Sequence, residues 1–179
     1  MNPKTKSGYV SIVGKTNAGK STLLNNILGQ KIAITSRKPQ TTRHRFLGIK
    51  TENLNQIIFV DTPGFHSGQK RALNRYMNKV ASNAMRGVDI VLYVVDSLKW
   101  GEEGFSRVQS ISEETAIILV VNKVDKLEDK NLLLPFIEER SKEDIFSNII
   151  PISALKDIGI DGLLNSICNK LPLGDHLYP

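Results

Sequence analysis

Cysteine is almost absent from this 179-residue chain. Cys168 stands alone, which excludes an internal disulfide framework and suits a reducing compartment. Long apolar runs are absent too, since nothing approaches the roughly 20 residues of a membrane span. The start, "MNPKTKSGYVSIVGK", joins a basic beginning to a short apolar stretch, so neither a signal peptide nor a membrane helix is expected. Internal repeats and low-complexity tracts are lacking. His44, His66 and His176 have no metal-ligand spacing, and no serine or cysteine is visibly paired with a base, which argues against a zinc site or a nucleophilic hydrolase. Acidic residues are missing before Glu52, whereas Lys31, Arg37, Lys38, Arg43, Arg45 and Lys50 crowd that same segment. The net charge of +6 is therefore lopsided. Two readings of the basic segment stay open: a polyanionic partner, or a solvated loop that balances bound phosphates.

What the chain does have is 40% hydrophobic content, enough for one well-buried domain. Its apolar runs, "YVSIVG", "QIIFVD", "DIVLYVVD", "AIILVVN" and "NIIPIS", are short and continuous, as in a parallel sheet covered on both faces. Between them, "STLLNNIL", "RALNRYMNKVASNAM", "NLLLPFIEERSKEDIF" and "GIDGLLNSICNKL" carry helical spacing. In "FLGIKTENLNQIIFVD", the stretch Glu52 to Asn55 predicts a hairpin turn and hence one antiparallel edge strand. Residues 1–173 are expected to form the domain, and 174–179, which follow the break at Pro172 and Gly174, to begin a linker. Met77, Met85 and Cys168 fall within helical patterns as packing residues. Trp100 has no functional argument attached to it.

The stretch "GKTNAGKSTL" follows a predicted strand and opens a predicted helix, the context that the pattern G-x-x-x-x-G-K-[ST] requires. Consecutive backbone N–H groups can wrap a phosphate only where side chains are out of the way, which is the use of Gly14 and Gly19. The helix beginning near Lys20 adds its positive end. The Lys20 ammonium can reach the β- and γ-phosphates, and the Ser21 hydroxyl can ligate Mg²⁺. Asp61, closing the strand before "DTPG", is the carboxylate placed to complete that ion's surroundings. Gly64 can offer its N–H to a γ-phosphate.

"NKVD", Asn122 to Asp125, also follows a predicted strand. Guanine presents two adjacent donors, N1–H and the N2 amino group, and one carboxylate accepts both; adenine would leave that acid partly unpaired. Asp125 is thus the expected specificity residue. Asn122 would tie this loop to the phosphate loop and the base, and the stem of Lys123 would cover the base face. Ser153, Ala154 and Leu155 follow the last strand, where the Ala154 N–H would meet guanine O6; the plain alternative is a cap at Ser153.

The order "GKTNAGKS", "TT", "DTPG", "NKVD", "SA" resembles a translation-factor-class GTPase domain. With "ITSRKPQTTRHR" and "GFH", it resembles the Era family of Ras-like bacterial ribosome-assembly GTPases over essentially the whole chain. That resemblance implies a P-loop NTPase fold: a doubly wound, mostly parallel six-stranded sheet with one antiparallel edge strand and helices on both faces. It implies GTP or GDP contacts at Gly14, Lys15, Asn17, Ala18, Gly19, Lys20, Ser21, Thr22, Asn122, Lys123, Asp125, Ser153, Ala154 and Leu155. The metal set would be Ser21, Thr42 and Asp61, with Lys20, Thr42 and Gly64 serving hydrolysis. Thr41 could exchange roles with Thr42. It further implies a cytoplasmic, monomeric switch with peripheral contact at the inner face of the cell membrane. Its output would be 16S rRNA maturation and assembly of the small ribosomal subunit, mainly through a C-terminal KH-type RNA-binding domain expected beyond Pro179.

Two loops would report the nucleotide: the basic segment around Pro39 and Thr42, and "GFHSGQK", Gly64 to Lys70. The position that holds a water-orienting glutamine in Ras-like proteins is Phe65 here, so intrinsic hydrolysis is expected to be slow. Asn17 stands where similar GTPases bind K⁺; the alternative is that Asn17 only stabilises its loop. The nearest competing reading is the GTPase domain of a tRNA-modification or other translation-factor-class protein, from which only "ITSRKPQTTRHR" separates this chain. An ATP-using kinase or transporter ATPase is opposed by "NKVD", and a septin-like assembly module would form nucleotide-dependent polymers.

Overall fold

The computed structural model describes residues 4–29, 45–61, 88–97 and 115–179, with the backbone alone at 45–47 and 61. Thr41, Thr42, Arg43, His44, Gly64, Phe65, His66, Lys70, Met77, Met85, Trp100 and the helical pattern over 71–85 lie outside the described residues.

Six strands, β1 (Lys6–Val13), β2 (Arg45–Glu52), β3 (Asn55–Asp61), β4 (Ile90–Asp96), β5 (Ala116–Asn122) and β6 (Asn148–Pro151), form one sheet ordered β2-β3-β1-β4-β5-β6. β1 runs parallel to both β3 and β4, β4 to β5, and β5 to β6. β2 is antiparallel to β3 at the edge, as the hairpin pattern predicts. Asn53, in the turn between them, has φ 52, a left-handed backbone that asparagine tolerates.

The continuous apolar strands are explained by two cores. Alternate residues of each strand point to opposite faces. Val10, Ile12, Phe59, Leu92, Val94, Ile118 and Val120 share one face with Leu23, Ile27, Ile160, Leu163 and Ile167. Val13, Ile58, Val60, Val91, Tyr93, Leu119 and Val121 share the other, against which Leu133, Phe136, Ile145 and Phe146 pack. Helices α1 (Lys20–Leu28) and α3 (Ile160–Lys170) therefore cover one face, and α2 (Leu133–Ser141) the other.

In α3 the buried residues Ile160, Leu163 and Ile167 recur at one-turn spacing, so a single stripe meets the sheet. α2 has no fully buried residue, and Leu134 stands 63% exposed. Its Pro135 falls in the first turn, where a missing N–H costs nothing. The helical pattern predicted as far as Phe146 stops at Ser141, because Ile145 and Phe146 reach the sheet from non-helical chain. None of the described helices is long and apolar enough to cross a membrane.

Residues 174–179, expected as the start of a linker, lie against the amino-terminal edge of the sheet. The Gly174 N–H donates to the Thr5 carbonyl at 3.1 Å, and the Ser7 N–H donates to Pro172 at 3.2 Å. Gln56, fully buried on β3, accepts at Oε1 from the Leu177 and Tyr178 N–H groups, at 2.8 and 3.0 Å. Its Nε2 donates to the Tyr178 carbonyl at 2.8 Å and to Thr51 Oγ1 at 3.0 Å.

Candidate functional site

The opposite edge of the sheet, where the parallel strands end, collects the sequence motifs. Chain order reverses here: β3 lies on one side of β1 and β4 on the other, which opens a crevice at the strand ends. Gly14 follows β1 with φ +147, and a Cβ there would sit 2.2 Å from the Val94 carbonyl oxygen. Only glycine lets the loop pass so close to β4. Gly19 has φ +96, and its Cβ would meet Asn122 Nδ2 at 2.2 Å, so this glycine brings the phosphate loop and the base loop together.

Helix α1 starts directly after Gly19 with no side-chain cap and no acidic residue in its first turn. Its free N–H groups and positive end are left for an anion. Lys20 arches back, donating from Nζ to the Gly14 and Lys15 carbonyls at 2.8 and 2.7 Å. Burial pushes the Lys20 pKa below its usual value. Ser21 and Thr22 are exposed on that first turn, and Lys15 and Asn17 are exposed on the loop, while Ala18 is buried.

No three His, Cys, Asp or Glu side chains among the described residues could hold a metal ion by themselves. A hydroxyl at Ser21 and a carboxylate residue, Asp61, ending β3 fit Mg²⁺, which keeps water and takes phosphate oxygens rather than demanding a protein cage. Asp61 is described in backbone only, and Thr42 lies outside the described residues.

Asn122 ends β5 almost fully buried, at 2% exposure. Its Nδ2 donates to the Ala18 carbonyl at 2.8 Å, and its Oδ1 accepts from the Ala154 N–H at 3.0 Å. One side chain thus joins the phosphate loop to the loop after β6. Asn26 of α1 adds a second tether, from Nδ2 to the Ala154 carbonyl at 3.1 Å. Lys123 follows with φ 67, opening a short 3-10 turn, Val124–Lys126, on which Asp125 is exposed. The Lys123 ammonium donates to the Asn17 carbonyl and to Asp96 Oδ2.

The Ala154 N–H, expected to meet guanine O6, donates to Asn122 Oδ1, the buried amide that lies between the two loops. The neighbouring Leu155 is 69% exposed. Ser153 is fully buried, and its Oγ accepts from the Lys156 N–H at 3.1 Å, a local cap rather than a group facing outward.

Asp96 and Ser97 were not singled out by sequence reasoning. Their signal was the register: Asp96 pairs with Asn122 across β4 and β5, so both apolar strands end in polar residues at the same level.

A family model described as 50S ribosome-binding GTPase matches residues 9–123. The GTPase Era of Marinobacter nauticus is 53% identical over 179 residues, covering 99% of this chain and 59% of that protein. Among solved structures, Era in complex with MgGDPNP and nucleotides 1506–1542 of 16S ribosomal RNA has a TM-score of 0.77 at 41% identity, covering 98% of this chain and 60% of that one. Aquifex aeolicus Era bound to GDP and AlF4⁻ has a TM-score of 0.76 at 41% identity, with the same coverage. The chain spans about three-fifths of the length of these relatives. Their names do not favour the tRNA-modification alternative.

Proposed function

Because the chain belongs to the GTPase family described as 50S ribosome-binding GTPases, we propose that it is the switch domain of an Era-type protein, binding GTP and GDP with Mg²⁺ and hydrolysing GTP slowly to GDP and phosphate. One observation carries the reading: the buried Asn122 amide joins the phosphate loop at Ala18 to the loop at Ala154, bringing phosphate and base recognition to one edge.

Phosphates lie along the N–H groups of the Gly14–Gly19 loop and the first turn of α1, and Lys20 exchanges loop carbonyls for phosphate oxygens. Ser21, Asp61 and Thr42 would hold Mg²⁺, which would supply positive charge to offset that of the phosphates. Asp125 accepts from the guanine edge under the stem of Lys123. Thr42 and Gly64 sense the γ-phosphate, so its loss releases both switch loops. With Phe65 unable to orient water by hydrogen bonding, turnover stays slow; Asn17 would hold a K⁺ ion, which would supply positive charge.

By likeness to the Era protein crystallised with a 16S rRNA fragment, the output is 16S rRNA maturation and small-subunit assembly. Arg43, Arg45 and Lys70 contribute contacts to the RNA. A cytoplasmic monomer that touches the inner face of the membrane peripherally completes the proposal.

The test is equilibrium titration with fluorescent GDP and ADP, followed by Mg²⁺-dependent phosphate release. GDP binding should exceed ADP binding by orders of magnitude. Asp125→Asn should shift preference towards xanthine nucleotides, whose 2-position is a carbonyl. Tight ADP binding would overturn the guanine reading. Equal turnover in potassium and sodium buffers would remove the K⁺ contribution. Unchanged subunit binding after neutralising Arg43, Arg45 and Lys70 would remove theirs.

A further inference from the structure

At the end of β4 the Asp96 carboxylate and the Ser97 hydroxyl both bond to Lys123, in the base-reading loop. The Lys123 ammonium, 2.7 Å from Asp96 Oδ2, also donates to the Asn17 carbonyl of the phosphate loop. The pair is well shielded, with the Lys123 and Asp96 side chains 23% and 14% exposed. Ser97 is fully buried; its N–H donates to the Asn122 carbonyl at 2.8 Å and its Oγ to the Lys123 carbonyl at 2.9 Å. Both residues at the cation's crossing, Asn17 and Lys123, have positive φ, 66 and 67. Asparagine tolerates that backbone, whereas at Lys123 it needs outside support to persist.

From this arrangement we infer that Asp96, with Ser97, is a positioning residue for guanine-nucleotide binding. Asp96 anchors the Lys123 ammonium, which stretches the aliphatic stem across the place where the base lies. Ser97 holds the carbonyls of Asn122 and Lys123, so that Asp125, two residues on, is presented to the base edge. Without the Asp96 charge, the ammonium keeps only a neutral carbonyl partner, and the left-handed turn at Lys123 loses half of its anchorage. A charge-assisted hydrogen bond shielded from water is strong enough for its loss to change affinity by about tenfold. The effect falls on nucleotide retention, because Asp96 lies on the base side and reaches the phosphates only through Lys123.

The inference rests on the GTPase reading above, and the experiment separates the two. Fluorescent-GDP release is measured by displacement for the 179-residue chain, Asp96→Asn, Asp96→Ala, Asp96→Glu, Lys123→Ala and the double variant Asp96→Ala/Lys123→Ala, with KM and kcat for GTP alongside. Asp96→Asn, which keeps the side chain's shape, should release GDP about tenfold faster and raise KM rather than lower kcat. Asp96→Glu should recover part of the loss. In the Lys123→Ala background, Asp96→Ala should add less than about twofold, since its partner is already gone. Unchanged release in Asp96→Asn, or an equal effect of Asp96→Ala in both backgrounds, overturns the inference while the wild type still binds GDP. A wild-type chain that prefers ADP overturns the GTPase reading and the inference with it.

Discussion

At the scale of single residues, the site depends on side chains whose hydrogen-bonding capacity is spent inside the protein. Asn122→Ala strips partners from two backbone groups, the Ala18 carbonyl and the Ala154 N–H, which stay buried. Unsatisfied buried groups cost about 1–3 kcal/mol each, so a loss of roughly 2–6 kcal/mol is expected in urea unfolding, together with weaker GDP binding. Asn122→Asp should do worse, since it buries an unpaired carboxylate against the Ala18 carbonyl oxygen. Lys20 gives a pH signature. Burial lowers its pKa below the usual lysine value, whereas bound phosphates favour the ammonium and raise it. Between the two values nucleotide binding takes up a proton, so affinity should fall as pH rises through that window. Calorimetry in buffers of different ionisation enthalpy checks the proton uptake; none at alkaline pH would contradict it. The pattern of Gly14, Gly19 and Lys20 was legible because a tight phosphate cradle would demand those residue types at that spacing. The partner of the Ala154 N–H was not, since it depends on which loop the Asn122 amide meets in space.

At the scale of elements, the helices differ in what they contribute. Leu163 of α3 is completely buried, and Leu163→Ala should destabilise by about 2–5 kcal/mol through lost burial and the cavity left behind. Leu134 of α2 is 63% exposed, so Leu134→Ala should stay within about 0.5 kcal/mol. Guanidinium unfolding of the two variants side by side checks the contrast. A comparable loss for both would mean that α2 buries more than its packing indicates. The one-turn spacing of Ile160, Leu163 and Ile167 made α3 readable from sequence. The early end of α2 was unreadable, because Ile145 and Phe146 keep an apolar pattern while packing from non-helical chain.

Across the whole molecule, the two edges of the sheet do different work: nucleotide motifs gather where the parallel strands end, and the C-terminal segment packs where they begin. Gln56 makes the second contact, bonding in both directions to the backbone at Leu177 and Tyr178. Gln56→Ala should loosen that segment and cost roughly 1–2 kcal/mol, as these part-buried hydrogen bonds are exchanged for water. Hydrogen exchange at the Leu177 and Tyr178 amides should rise to the rate of an unprotected chain; retained protection would count against the contact.

Local chemistry was enough to determine the strand and helix alternation, the antiparallel edge strand and the phosphate and base motifs. Each follows from residue type at short spacing: apolar runs, a turn, glycines beside a lysine, a carboxylate after a strand. The tertiary structure alone decided that Asn122 bridges two loops, that Asp96 and Ser97 support Lys123, and that Gln56 holds residues 177 and 178. These partners are separated by long stretches of chain. A hydrogen bond between them exists only once strand order and register have set their backbones within about 3 Å of contact, and no local pattern encodes that distance.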